Sequence, residues 1–205
     1  LVFQGDAEGI FHAYDARDGK SVWDFDAKLV IIGAPISYMA GGKQYVSILV
    51  GMGGGVSRLG KPFGFYGWKY GAQPRRLLTF VLNGKSTLPP TPPRDFSLKP
   101  LDDAKLVIDE AVAAKGKPLY PSKFCSSCHG FEMESNGTPG PDLRESPVAL
   151  DYATFVEFLR SGAAVERGMP KFDDITDDDA RALYMYIRSA ARAAQKDPRA
   201  NSDKF

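Results

Sequence analysis

Five consecutive residues, Cys125-Ser126-Ser127-Cys128-His129, constrain this chain more than any other feature. They hold both cysteines and one of the two histidines present in 205 residues. A C-x-x-C-H run reads as a c-type haem attachment site, because two thiols add to the two vinyl groups of one haem while the adjacent imidazole ligates its iron. Rival uses of these residues can be weighed by counting ligands. A structural zinc ion needs four nitrogen or sulfur ligands, and beyond these three only the distant His12 remains. A redox dithiol expects a βαβ setting, which the sequence around residue 125 lacks. A plain disulfide stays open chemically, but it leaves His129 without a role.

A haem held by His129 needs a sixth ligand for its iron, and few side chains qualify. Met133 is too near the attachment motif to reach the opposite haem face. Met185 falls inside the last expected helix, where methionine usually fills core space. Met39 and Met52 belong to a β-rich region far upstream. Met169, in the loop Gly168-Met169-Pro170, is left as the axial ligand. Histidine and methionine together fill both axial positions and raise the iron's potential, which suits electron transfer rather than oxygen chemistry.

Composition narrows the classes further. With 43% hydrophobic and 25% charged residues the chain can build one or two cores. Disorder is disfavoured, because it needs low hydrophobicity and high net charge. No stretch approaches the 18 uncharged apolar residues of a membrane span. The 21 glycines and 15 prolines ask for many turns. The near-neutral total of 26 basic against 25 acidic residues hides two halves: 12 basic and 7 acidic residues up to position 100, and 14 basic and 18 acidic beyond it. Neither half has the basic clustering of a nucleic-acid binder.

Short alternating runs at Ile10–Tyr14, Ser21–Phe25, Ile36–Met39, Tyr45–Val50 and Arg76–Leu82 predict strands. Asp18-Gly19 and Gly41-Gly42 are hairpin signals. A proline-rich stretch over 85–100 reads as an extended, semi-rigid spacer. Helical patterning then begins: a first helix over 102–115 stopped by Gly116 and Pro118, a second opening at Ser146-Pro147, a third over Tyr152–Ser161 ended by Gly162, and a last from Asp177 to about Gln195 capped by Thr176. The chain is thus expected to divide into a β unit (1–84), a linker (85–100) and a helical unit (101–205). The acidic residues Asp173, Asp174, Asp177, Asp178 and Asp179 read either as a docking patch for a cationic redox partner or as charges suited to a helix N-terminus.

Residues 101–195 resemble a class I cytochrome c. The resemblance rests on Gly116, Tyr120, the Cys125–Gly130 motif, Gly140-Pro141-Asp142-Leu143, Gly168-Met169-Pro170, and Leu183 with Tyr186. It implies that the Pro141 carbonyl accepts a hydrogen bond from His129 Nδ1–H, and that Gly116 lets the first helix approach the last closely. It also implies a haem pocket of Tyr120, Pro141, Leu143, Phe155, Phe158, Leu159, Pro170 and Phe172. Arg144 would either pair with a haem propionate or stand exposed.

The β unit carries a second resemblance. Ala13 to Trp23 fits A-x-D-x-x-x-G-x-x-x-W, and is similar to the tryptophan-docking motif of pyrroloquinoline quinone (PQQ) dehydrogenases, with Asp18 where threonine is common. The segments Gly33–Tyr38, Gly42–Val46, Gly51–Gly54 and Arg75–Phe80 also match the end of that propeller. A propeller end, a proline linker and a cytochrome c in this order resemble the C-terminal part of quinohaemoprotein alcohol dehydrogenases. The implied fold is a set of partial β-propeller blades followed by an all-α cytochrome c domain. The implied function is transfer of electrons from PQQ in an alcohol-oxidising propeller, through haem c, to an external acceptor such as a cytochrome, a copper protein or a quinone. PQQ, Ca²⁺ and the catalytic groups would lie in a missing N-terminal propeller portion, with no catalytic residue in this segment. The glycine run Gly53, Gly54 and Gly55 would face the quinone. It fails as a dinucleotide site, because Val56 breaks the pattern and no helix follows. Covalent haem attachment implies assembly in the bacterial periplasm. Two alternatives are a stand-alone carrier or cytochrome subunit docked on a separate dehydrogenase, and a non-catalytic propeller scaffold with an incidental C-x-x-C-H.

Overall fold

The computed structural model describes residues 1–52, 68–72, 74–95 and 97–197. A small β unit is followed by a helical unit. Among the described residues, six strands form two antiparallel three-stranded sheets: β1 (Val2–Gly5), β2 (Ile10–Tyr14) and β3 (Ser21–Asp26) in one, β4 (Ile36–Ala40), β5 (Lys43–Val50) and β6 (Arg76–Val81) in the other. Both hairpin signals work as turns. Gly41 and Gly42, at φ 56° and 75°, make a two-residue loop that pairs Ala40 with Lys43. Gly19, at φ 73°, closes the turn from β2 to β3. β6 ends at Val81, one residue short of expectation, and leaves Leu82 exposed.

The two sheets share a core of Phe11, Leu29, Ile31, Ile48, Val50 and Trp68. Trp23 of β3 lies edge-on to Phe80 of β6 at 5.3 Å, so it reaches the second sheet while remaining 40% exposed. The outer face of the second sheet carries Ile36, Leu49 and Leu77, all exposed, with Leu49 opposite Leu77 in register.

His12 on β2 bridges two carboxylates, Nδ1 to Asp24 at 2.6 Å and Nε2 to Asp6 at 3.2 Å. The Asp24 hydrogen bond, then Asp6, raises the imidazole above its ordinary 6.5 against a smaller opposing effect of burial. The folded state therefore binds this proton more tightly than the unfolded chain. The resulting stabilisation is complete below about 6.5 and disappears as pH rises through the raised value. An NMR titration should find the His12 midpoint above 6.5, and Asp24→Asn should return it towards that value.

The stretch between the strands and the helices is pinned rather than free. Trp68 Nε1 donates to the Pro93 carbonyl (3.2 Å), Lys69 N–H to the Asp95 carbonyl (2.9 Å), and Arg76 to Thr91 and to the Pro90 carbonyl. Extended polyproline backbone has no internal hydrogen bonds, so its carbonyls are available for these contacts.

The helical unit contains α1 (Glu110–Ser122), the short α2 (Cys125–His129), α3 (Tyr152–Ser161) and α4 (Asp177–Ala194), linked by 3₁₀ turns. The expected first helix is displaced. Residues 102–106 form turns tied to the last helix, with Arg192 bidentate on Asp102 and donating to the Asp103 carbonyl. Helix α1 starts only after Asp109 caps Val112 N–H, and it runs through Gly116, Pro118 and Pro121 instead of stopping. Each internal proline removes one helical donor. Continuation follows from packing: Ala113, Gly116 and Tyr120 form a buried face against α4. The helix expected at Ser146-Pro147 is a single 3₁₀ turn, Val148–Leu150, because Asp151 ends it and caps α3 through Thr154 N–H. Helices α3 and α4 lie where their caps predicted, with Gly162 left-handed at φ 73° and the Thr176 hydroxyl accepting from Asp179 N–H. No helix among the described residues is long and apolar enough to cross a membrane.

Candidate functional site

The C-x-x-C-H motif occupies α2 and is entered through Phe124, a non-glycine residue at φ 61°. One short helical turn sets Cys125, Cys128 and His129 together. His129 is buried, and its Nδ1 lies 2.7 Å from the Pro141 carbonyl oxygen. A carbonyl can only accept, so Nδ1 carries the proton and Nε2 is the basic nitrogen. Burial lowers the histidine below its ordinary value, partly opposed by the Pro141 bond, and keeps the ring neutral as a metal ligand requires. The loop that brings Pro141 to the ring is tightly folded. Gly140 N–H donates to the Cys128 carbonyl at 2.9 Å, and a Cβ on Gly140 would stand 3.1 Å from the imidazole. Thr138 Oγ1 donates to the Ser135 and Gly140 carbonyls. Tyr120, fully buried, donates its hydroxyl to the Gly130 carbonyl at 3.1 Å, and burial pushes that phenol far up.

Cys125 and Cys128 form no disulfide with each other, and burial pushes the Cys125 thiol up to about 11. Among the described residues, no group of three His, Cys, Asp or Glu side chains is arranged to hold a metal ion.

Tyr120, Phe155 and Leu159 are buried in the helical core, and Leu143, Met169 and Phe172 pack against it. Met133 and Met185 are also core residues. Phe158 is half-buried outside that cluster, where Val156 takes the packing role, and Pro170 is exposed. Gly53, Gly54 and Gly55 lie outside the described residues. Arg144 is buried rather than exposed, with Nε and Nη2 donating to the two Asp142 oxygens at 2.9 and 2.7 Å.

The acidic cluster is partly spent locally: Asp177 pairs with Arg160 (2.6 Å), Asp173 with Lys171 (3.2 Å) and Asp179 with Lys123 (3.7 Å). Sequence reasoning missed Arg188. The side chain is fully buried; Nη1 donates to the Leu101 carbonyl at 3.2 Å, and Nε and Nη2 have no partner among the described residues. An arginine four residues after Tyr184, on the apolar stripe of α4, was the available signal.

The two units meet at this loop. Gly137 N–H donates to the Trp68 carbonyl at 2.7 Å, and a Cβ on Gly137 would sit 2.4 Å from Sδ of the buried Met52. Lys69 Nζ reaches Glu145 at 2.8 Å.

A neutral buried histidine with a free Nε2, two thiols on the same helical turn and a methionine packed on the same core describe a cytochrome c domain. Residues 111–187 match the family model of cytochrome c oxidase, cbb3-type, subunit III. The chain is 38% identical to quinohemoprotein alcohol dehydrogenase ADH IIB of Pseudomonas putida, over 92% of this chain and 27% of that protein. It is 35% identical to the dehydrogenase subunit of the quinone-type alcohol dehydrogenase of Gluconobacter oxydans, over 96% of this chain and 25% of that subunit. Among solved structures, quinohemoprotein alcohol dehydrogenase ADHIIG of Pseudomonas putida HK5 superposes with a TM-score of 0.69 at 29% identity, covering 97% of this chain and 28% of that one. The chain spans about a quarter of the length of these relatives. It is homologous to part of the quinohaemoprotein alcohol dehydrogenases and carries their cytochrome c domain, a domain that implies haem c.

Proposed function

We propose that this chain carries electrons from the PQQ-bearing, alcohol-oxidising part of a periplasmic quinohaemoprotein dehydrogenase to an external acceptor. On this reading, residues 1–84 complete the propeller, Trp23 is its docking tryptophan, 85–100 is the linker and 101–205 the cytochrome domain. The observation that carries the reading is the join: the Trp68 carbonyl and Met52 of the β unit bear directly on the loop that follows the C-x-x-C-H motif. Homology running across both units favours it over a stand-alone carrier.

Haem c, when bound, supplies a one-electron iron couple. Cys125 and Cys128 would hold it covalently. His129, oriented by Pro141, would donate Nε2 to the iron, and the Pro141 bond would strengthen that donation. Met169 would be the second ligand. Phe155, Leu159 and Phe172 would exclude water from the bound haem and so help tune its potential. Arg188 brings two uncommitted donors that suit a propionate carboxylate, whereas Arg144 already serves Asp142. The PQQ and Ca²⁺ ligands and the groups that act on the alcohol are not among these residues.

Full-length enzyme loaded with PQQ and Ca²⁺ tests this. Anaerobic addition of a primary alcohol should reduce the haem. Alcohol oxidation by an artificial acceptor with the haem left ferric would overturn the proposal.

A further inference from the structure

The side chain of Glu145 joins the two units at the turn that carries the Pro141 carbonyl. Its carboxylate accepts from Lys69 Nζ at 2.8 Å and from the Lys99 backbone N–H. The Lys69 and Glu145 side chains are only 22% and 19% exposed, so the pair is screened far less than a surface ion pair. The turn is stiff. Asp142 Oδ1 accepts from Arg144 N–H at 2.9 Å, the carboxylate takes the Arg144 guanidinium, and the Arg144 carbonyl accepts from Leu101 N–H at 3.0 Å. At the head of that turn stands the carbonyl 2.7 Å from His129 Nδ1. On the other side, Lys69 is fixed by its own N–H on Asp95 and follows Trp68, whose carbonyl accepts from Gly137. A continuous set of contacts therefore runs from the β unit through Lys69, Glu145 and the 141–145 turn to His129.

We infer that Lys69 and Glu145 are positioning residues for the haem iron: their ion pair holds the Pro141 carbonyl on His129 and so sets the iron's redox poise from the β unit. The inference rests on the reading that His129 is the proximal ligand. A hydrogen bond from Nδ1–H makes the imidazole a stronger donor and favours ferric iron. Loosening the turn should therefore favour ferrous iron, whichever partner of the pair is removed. Charge alone predicts otherwise. Loss of the lysine cation would disfavour an added electron, and loss of the glutamate anion would favour it.

The test is a spectroelectrochemical titration of the holo full-length protein after its haem content has been measured. Lys69→Met and Glu145→Ala should each raise the ferrous-to-ferric ratio at fixed poise by about threefold, the low end for such networks. Lys69→Arg, which keeps donor and charge, should match the parent. The His129 Nδ1 proton should exchange faster in both disruptive variants than in the parent. A fall in the ratio for Lys69→Met, or no change in either variant, would overturn the inference. Should Glu145→Ala fail to fold, the sign of the Lys69→Met shift still decides. Absence of thioether-bound haem in the parent would instead overturn the haem reading, and this inference with it.

Discussion

Replacing Cys125 and Cys128 together by alanine should leave a polypeptide that carries no haem through denaturing electrophoresis, whereas the parent stains fully. A noncovalent ligand is released on unfolding and a thioether is not. Met169→Ala should behave differently: it keeps the covalent haem but shifts the iron towards the ferric form, because a thioether ligand raises the potential. Together the two variants separate attachment from tuning. A parent that does not stain would remove the haem assignment, and an unchanged spectrum in Met169→Ala would remove that ligand alone.

Gly116→Val should be the most damaging single change in the helical unit. A Cβ at position 116 would lie 2.1 Å from the Ala182 carbonyl oxygen and 2.7 Å from Tyr186 Cβ, so α1 and α4 would have to separate. Backbone atoms cannot swing aside as a flexible side chain can. The expected cost is about 3 kcal/mol or more, at the upper end for overpacking. For a domain of this size that lowers Tm by roughly 10 °C or more, readable by calorimetry. The Tyr120–Tyr186 edge contact at 5.8 Å, beside the crossing, would be lost too. A Tm within a few degrees of the parent would show that the helices separate at little cost.

Both halves were legible in sequence, though for different reasons. The strands announced themselves by alternation and glycine turns, and α3 and α4 by their caps, because those signals are local. The first helix was misplaced because its limits are tertiary. Arg192 holds 102–103 in turns, and packing on α4 carries the helix past two prolines that would end it in isolation. The Ser146-Pro147 start failed because Asp151, five residues on, is the stronger cap. Pro141 could be assigned to His129 only through resemblance, since nothing in spacing brings residue 141 to residue 129. Arg188 was easily misread, its place on the apolar stripe of α4 being the one local signal, because the Leu101 carbonyl that accepts from it lies 87 positions away. The Lys69–Glu145 pair spans 76 positions and leaves no local trace.

The hydrogen bond between Gly137 and the Trp68 carbonyl carries a kinetic consequence for the proposed role. A carrier that diffuses to its donor has a rate set by encounter, and encounter between charged proteins weakens as salt is added. Here the β unit and the helical unit already touch through backbone groups, Met52 and a shielded ion pair, so in the proposed role electron entry would involve no encounter. Ionic strength should therefore govern only how fast electrons leave for the external acceptor.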